Sequence, residues 1–261
     1  MDIYIYTTFD LPVPYKKLKL YPVTVRDYLS FSMFAQCLTF DKNSIPDINI
    51  ISMTNLEYIF YTAQKDIEEK PYIFFLDRLL SICLKEDASF EKMEESIKRY
   101  DYNEKGKPIF RIEEEIYDSN DFEEIKKIIA EQNKLELIDE NISKEVRDSL
   151  EKAREFKRKT SGTKSLSLED YVVSVSLVTG WTLDYIYSMP ARKFFKTVKR
   201  ADALIHYKIY LAASMSGMVE FKDKSFIKHW LLETGDENKY SDVTVGLDEI
   251  QDKISLESAK K

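Results

Sequence analysis

Histidine and cysteine are each present only twice in these 261 residues. That scarcity removes the usual ligands of a zinc centre, since Cys37 and Cys83 need histidines alongside and His206 and His229 are the only two. Glycine is nearly as rare at 6, and proline stands at 7, too few turn formers for an all-β sandwich or barrel. The isolated Gly106, Gly162 and Gly180 assemble no phosphate-cradling loop. No apolar run reaches about eighteen residues, so no membrane span is expected. The opening MDIYIYTTFDLP lacks the basic flank of a secretory signal. A reducing cytoplasm is the default compartment. Cys37 and Cys83, each inside an apolar helical pattern, are expected to be buried free thiols.

What is present argues for a packed chain. Hydrophobic residues make up 44% and aromatics 13%, led by 17 Tyr and 15 Phe, which speaks against wholesale disorder. A chain this long buries a core without disulfide or metal staples. The net charge of −7 makes the whole chain a poor match for nucleic acid.

The patterning predicts a mainly α protein. Two helical lobes are joined to a short extended N-terminal segment and a small central β-hairpin. Ile3 and Ile5, then Leu18, Leu20, Val23 and Val25, alternate between prolines as extended edge segments do. Thr24 with Asp27 looks like a capping box for a helix through Leu38, and Thr54 with Glu57 opens another. Pro71 stands at the first position of an apolar, central helix, and Ser89 begins a short acidic one. RYDYNEKGKPIFRI predicts a hairpin turning at Lys105–Pro108. Asn120 with Glu123 is expected to cap a helix striped by Phe122, Ile125, Ile128 and Ile129, with Asn133 as its left-handed stop.

The stretch from Ser143 to Lys159 predicts a solvated helix, broken at Lys157–Gly162. Ser167 with Asp170 caps the next helix, Thr182 starts a short one, and Pro190 opens a long one that Gly217 ends. Asp223 caps a last helix before Gly235. The expected domains are an N-terminal lobe (1–98), a hairpin with a charged helical connector (99–162), a C-terminal helical lobe (163–234) and a flexible polar tail (235–261).

No constellation for catalysis emerges, and no cofactor, metal or small-molecule substrate is expected. The acidic runs Glu113–Glu115 and Glu123–Glu124 are expected to be solvated faces. His206 and His229 are expected to be satisfied, buried or half-buried histidines. Lys193, Lys196, Lys199 and Arg200 form a basic stripe on the long helix, suited to water or to an acidic partner helix; nucleic acid is the lesser reading. Trp181 sits in a Gly-Trp-Thr turn, with Tyr185, Met189 and Phe194 at helical spacings nearby. Such residues fill a core, and as a Met-aromatic surface they also make an adaptable protein-binding groove.

Two segments, LPVPYKKLKLYPVTVRDYLSF and FEEIKKIIAEQN with SLEDYVVSVSLVTGWTLDYIYSMPARKFFK, resemble the tail assembly chaperones of large tailed bacteriophages infecting Gram-positive bacteria. The resemblance covers about half the chain. It implies a non-enzymatic helical protein of the host cytoplasm that coats the tape-measure protein, or another tail protein, before the tube forms. Self-association is compatible with that role. Trp181, Tyr185, Met189, Phe194, Lys193, Lys196 and Arg200 are then the candidate protein-binding residues. Two alternatives stand beside it. One is a structural virion component, such as a baseplate or tail-completion subunit; the other is a nucleic-acid-binding regulator using Lys193, Lys196 and Arg200.

Overall fold

The computed structural model describes residues 3–42, 45, 47–64, 72–85, 98–112, 114–138, 144–160, 166–217 and 229–232. Among them are ten α-helices and two small antiparallel sheets, so the chain is mainly α. It divides into two compact units. One is Met1–Asp139 with Val172–Val198, and the other is Glu140–Tyr171 with Lys199–Lys261.

The first unit opens with a helix, α1 (Ile3–Thr8), where alternation predicts extended chain. The residues that find the core decide this. Ile3 and Tyr6 pack against it and Thr7 is buried, a three-four spacing, while Ile5 is left exposed. β1 (Val13–Tyr15) and β2 (Leu18–Leu20) then pair as a hairpin, extended as expected. α2 (Tyr28–Phe34) follows and tightens into a 3-10 turn over Ala35–Cys37. Thr24 and Asp27 do not make the expected capping box. Their side chains bond each other at 2.7 Å, and Asp27 caps no helix amide. Thr24 also forms an isolated antiparallel bridge with Pro190.

α3 (Ile48–Ser52), α4 (Asn55–Gln64) and α5 (Tyr72–Leu84) supply a large share of the core. The Thr54–Glu57 box is as expected. The Glu57 carboxylate accepts the Thr54 N–H at 2.7 Å, and the Thr54 hydroxyl accepts the Glu57 N–H at 3.2 Å. Leu76, Leu79, Leu80 and Cys83 bury the inner face of α5. Cys37 and Cys83 are buried free thiols. Burial pushes Cys83 up to about 12 and raises Cys37 as well, so neither is a thiolate near neutral pH.

β3 (Lys98–Tyr102) and β4 (Pro108–Ile112) form the expected hairpin. A third strand, β5 (Glu115–Tyr117), adds to β4 where the sequence shows only an acidic run. Tyr117 is what fixes it: the ring is buried and stacks on Phe110 at 5.3 Å. Of the acidic run, Glu115 is ion-paired with Lys17.

α6 (Ser119–Asn133) buries the predicted stripe of Phe122, Ile125, Ile128 and Ile129, but both of its ends differ from expectation. The capping box is Asp118 with Asp121, two residues earlier than Asn120 with Glu123. Glu123 instead accepts from Asn55 at 2.8 Å. The left-handed residue is Lys134 at φ 53°, and Asn133 is turned inward. Its side-chain oxygen accepts the Val23 N–H at 2.9 Å, a buried partner that competes with any capping role.

Tyr15 and Lys16 reach the same α6 terminus. The Asp121 carboxylate accepts from the Tyr15 hydroxyl at 2.8 Å and from Lys16 Nζ at 2.6 Å. Burial alone raises a carboxyl. Here the Lys16, Asp118 and Tyr15 hydrogen bonds outweigh it and hold Asp121 below its ordinary value.

In the second unit α7 (Lys144–Thr160) is charged, and the side chains described on it, such as Glu145, Asp148, Glu151 and Glu155, are mostly exposed, as its sequence predicts. Ser167 and Asp170 cap α8 (Leu168–Thr179) reciprocally, and the Ser167 hydroxyl holds the Asp170 carboxyl below its usual range. His206 and His229 are exposed, where buried or half-buried histidines are expected. His206 stacks on Tyr210 at 6.0 Å and approaches Asp202, one helical turn back, at 3.4 Å. Local helix neighbours satisfy it without a core. The expected helices from Ser89 and Asp223 and the tail after Gly235 lie outside the described residues.

Candidate protein-binding surface

α8 carries apolar side chains on more than one face. Val172 and Val175 are buried in the first unit. Val173 and Leu177, one turn apart, are exposed at 44% and 81%, with Val178 beside them at 46%. A helix apolar nearly all round belongs inside a core or an interface. Among the described residues, nothing covers this second face of α8.

The turn after α8 adds aromatics to the same run of chain. Gly180 takes φ +75°, and its N–H closes on the Ser176 carbonyl at 2.8 Å. The Ser176 hydroxyl donates to the Trp181 carbonyl at 2.8 Å, and the Trp181 N–H reaches the Thr179 hydroxyl at 3.2 Å. Thr182 then caps α9 (Leu183–Ser188) by accepting the Tyr185 N–H. These bonds fix the backbone under two exposed rings. Trp181 is 37% exposed and Tyr185 54%, meeting edge to face at 5.3 Å. Leu183 is exposed next to them.

The expected cluster of four is therefore divided. Trp181 is no core plug: the turn carries it outward with Tyr185. Met189 and Phe194 are buried, at 5% and 0% exposure, and belong to the core of the first unit. Their role is to anchor the surface. The Met189 carbonyl accepts the Val25 N–H at 2.9 Å, the Tyr187 carbonyl accepts that of Arg26, and the Ala191 N–H donates to Val23. Phe195 meets Tyr28 edge to face at 4.9 Å. Leu177, Val173 and Leu183 are surface residues that sequence reasoning missed. The signal was a helix with valines and leucines off the buried stripe.

The basic residues of α10 (Ala191–Met215) are engaged separately. Lys193 pairs with Asp10 at 2.6 Å. Lys196 and Lys199 are exposed. In the second unit Arg200 donates to the carbonyls of Trp230 at 2.8 Å and Leu232 at 3.1 Å, tying down the turn at 229–232. A guanidinium spent on backbone carbonyls is not offered to phosphate. Ile205, Ile209 and Met215 leave a further apolar run exposed on the same helix.

Two larger clefts flank the β3–β4 hairpin. One, of about 530 Å³, is lined by Met53, Phe60, Tyr61 and Tyr102; the other, of about 600 Å³, by Lys16, Arg111, Asp118 and Asp121. Asp118 and Asp121 in the second are committed to the α6 cap. Asp121 is held ionised, which makes it a poor proton donor near neutral pH. Among the described residues, no three of His, Cys, Asp and Glu converge in a way that would hold a metal ion. No helix among them is long and apolar enough to cross a membrane.

Residues 157–234 match the family described as YomV second domain, a phage-associated domain. The matched stretch includes α8, α9, α10 and the exposed surface they carry. No curated protein and no solved structure matches the chain.

Proposed function

We propose that this protein is a non-enzymatic phage tail assembly chaperone that binds the tape-measure protein, or another elongated tail protein, before the tube polymerises. One observation carries the reading. Leu177, Trp181, Leu183 and Tyr185 are held outward by a hydrogen-bonded turn, inside the stretch that matches a phage-associated domain. A long helical client presents apolar stripes of its own. Rigid aromatic anchors flanked by aliphatic side chains are what such a stripe needs. Each contact is modest, and repetition along one filamentous client supplies avidity. The net charge of −7 keeps a loaded complex soluble.

A chaperone is absent from the finished particle, whereas a baseplate or tail-completion subunit is retained. Mass spectrometry of purified virions separates the two. The chaperone reading expects the chain in infected-cell lysate and none in particles; a fixed copy number per virion replaces it with the structural one. A nucleic-acid regulator predicts steeply salt-dependent DNA binding instead, lost when Lys193 and Lys196 become Glu.

A further inference from the structure

We infer that the cleft between α1 and the start of α10 is a binding site for a phosphoryl oxyanion, either free phosphate or the head of a small phosphate ester. The cleft holds about 150 Å³ and is lined by Thr7, Thr8, Asp10, Arg192, Lys193 and Lys196, with Tyr4 at its edge. All belong to the first unit. Drug-sized ligands occupy roughly 300–1,000 Å³, so this volume suits a compact polar head.

The charge pattern is the argument. Three cations converge on one small cleft in a chain whose net charge is −7. One carboxylate answers them, and it is already engaged: Asp10 takes Lys193 at 2.6 Å. Arg192 and Lys196 have no acidic partner among the described residues. Grouping like charges is unfavourable unless an anion relieves it.

The pair Asp10–Lys193 also shapes the site. Asp10 stands in the left-handed region at φ 56°, ending α1 and placing its carboxylate toward α10. That fixes Lys193 along one wall and leaves Arg192 and Lys196 for the ligand. Donors other than cations are present. The Thr8 hydroxyl makes no hydrogen bond among the described residues. The amides of Arg192 and Lys193, in the first turn of a 25-residue helix, have no helical acceptor. Guanidinium, ammonium and hydroxyl donors carried by residues from both sides of the cleft match a tetrahedral oxyanion better than a planar carboxylate.

The test is a titration of the full-length, ¹⁵N-labelled chain at fixed ionic strength, following the Arg192 and Lys193 amides. Inorganic phosphate and glycerol 3-phosphate are the two probes, with glycerol as control. A saturable shift with either phosphate supports the site; tighter binding of the ester identifies esterified phosphate as its ligand, and parity identifies the free ion. K196E and R192E should each weaken binding about tenfold or more. K208E, on an exposed position elsewhere on the same helix, should leave it within about twofold of the wild type. T8V should lower affinity severalfold without touching charge. No saturable shift in the wild-type chain overturns the proposal. So does equal weakening by K208E and K196E, which would mark the effect as one of net charge alone.

Discussion

Residues that look alike in the sequence do opposite work in the fold. Trp181 and Phe194 are both large aromatics near a helix start, yet one is exposed and the other has no exposure at all. Phe194→Ala should cost about 3–5 kcal/mol, seen as a lower urea midpoint. Trp181→Ala should leave stability within about 1 kcal/mol and abolish client capture. Asp121 makes a second contrast. Its carboxyl is held below its ordinary value, so it stabilises the fold above the unfolded-state pKa and loses that contribution as pH falls through the folded one. Asp121→Asn should therefore cost about 1–3 kcal/mol at pH 7, and flatten the acid limb of stability against pH. Cys37 and Cys83 should resist a thiol reagent in the native chain and react fully in denaturant, because both are buried and held protonated.

At the scale of elements, most helices were legible wherever a cap and an apolar stripe agreed. Thr54–Glu57, Ser167–Asp170 and Thr182 all cap as expected, and the stripe of α6 is buried. Two of the misses share a cause: a side chain with two available roles took the tertiary one. Asn133 gave its oxygen to Val23 instead of stopping α6. Glu123 went to Asn55 instead of the cap. α1 is a helix because Ile3, Tyr6 and Thr7 find the core, a preference that no local alternation reveals. β5 depends on Tyr117 stacking on Phe110, a partner seven residues away. The candidate surface was half legible. Trp181 and Tyr185 were singled out, while Leu177 was hidden because exposure cannot be read from an apolar residue in an apolar helix. The turn beneath them is open to test. Gly180→Ala meets no atom within 4 Å, so its cost is purely the left-handed backbone, about 1–2 kcal/mol. A loosened turn should also weaken client capture.

For the whole molecule, the chain order of the first unit has a consequence. Val172–Val198 completes a unit begun by Met1–Asp139. The Val25 and Arg26 N–H groups donate to the Met189 and Tyr187 carbonyls, the Val23 carbonyl accepts the Ala191 N–H, and Tyr28 packs on Phe195. A fragment ending at residue 139 leaves those groups unpaired. It should be less stable and more prone to associate than the full chain, by thermal unfolding and light scattering. Val172–Val198, within the segment that matches the phage-associated domain, thus shares a unit with the N-terminal residues, and its exposed ridge stands on that packing.

The central claim is that this ridge binds an elongated tail protein. Co-expression of the tagged chain with the tape-measure protein of the same phage, followed by affinity capture, tests it most directly. The wild-type chain should retain the tape-measure protein through washing. The Leu177→Asp, Trp181→Ala double variant, folded by circular dichroism, should lose it. Equal capture by both would contradict the assignment of the surface, and no capture by the wild-type chain would contradict the function itself.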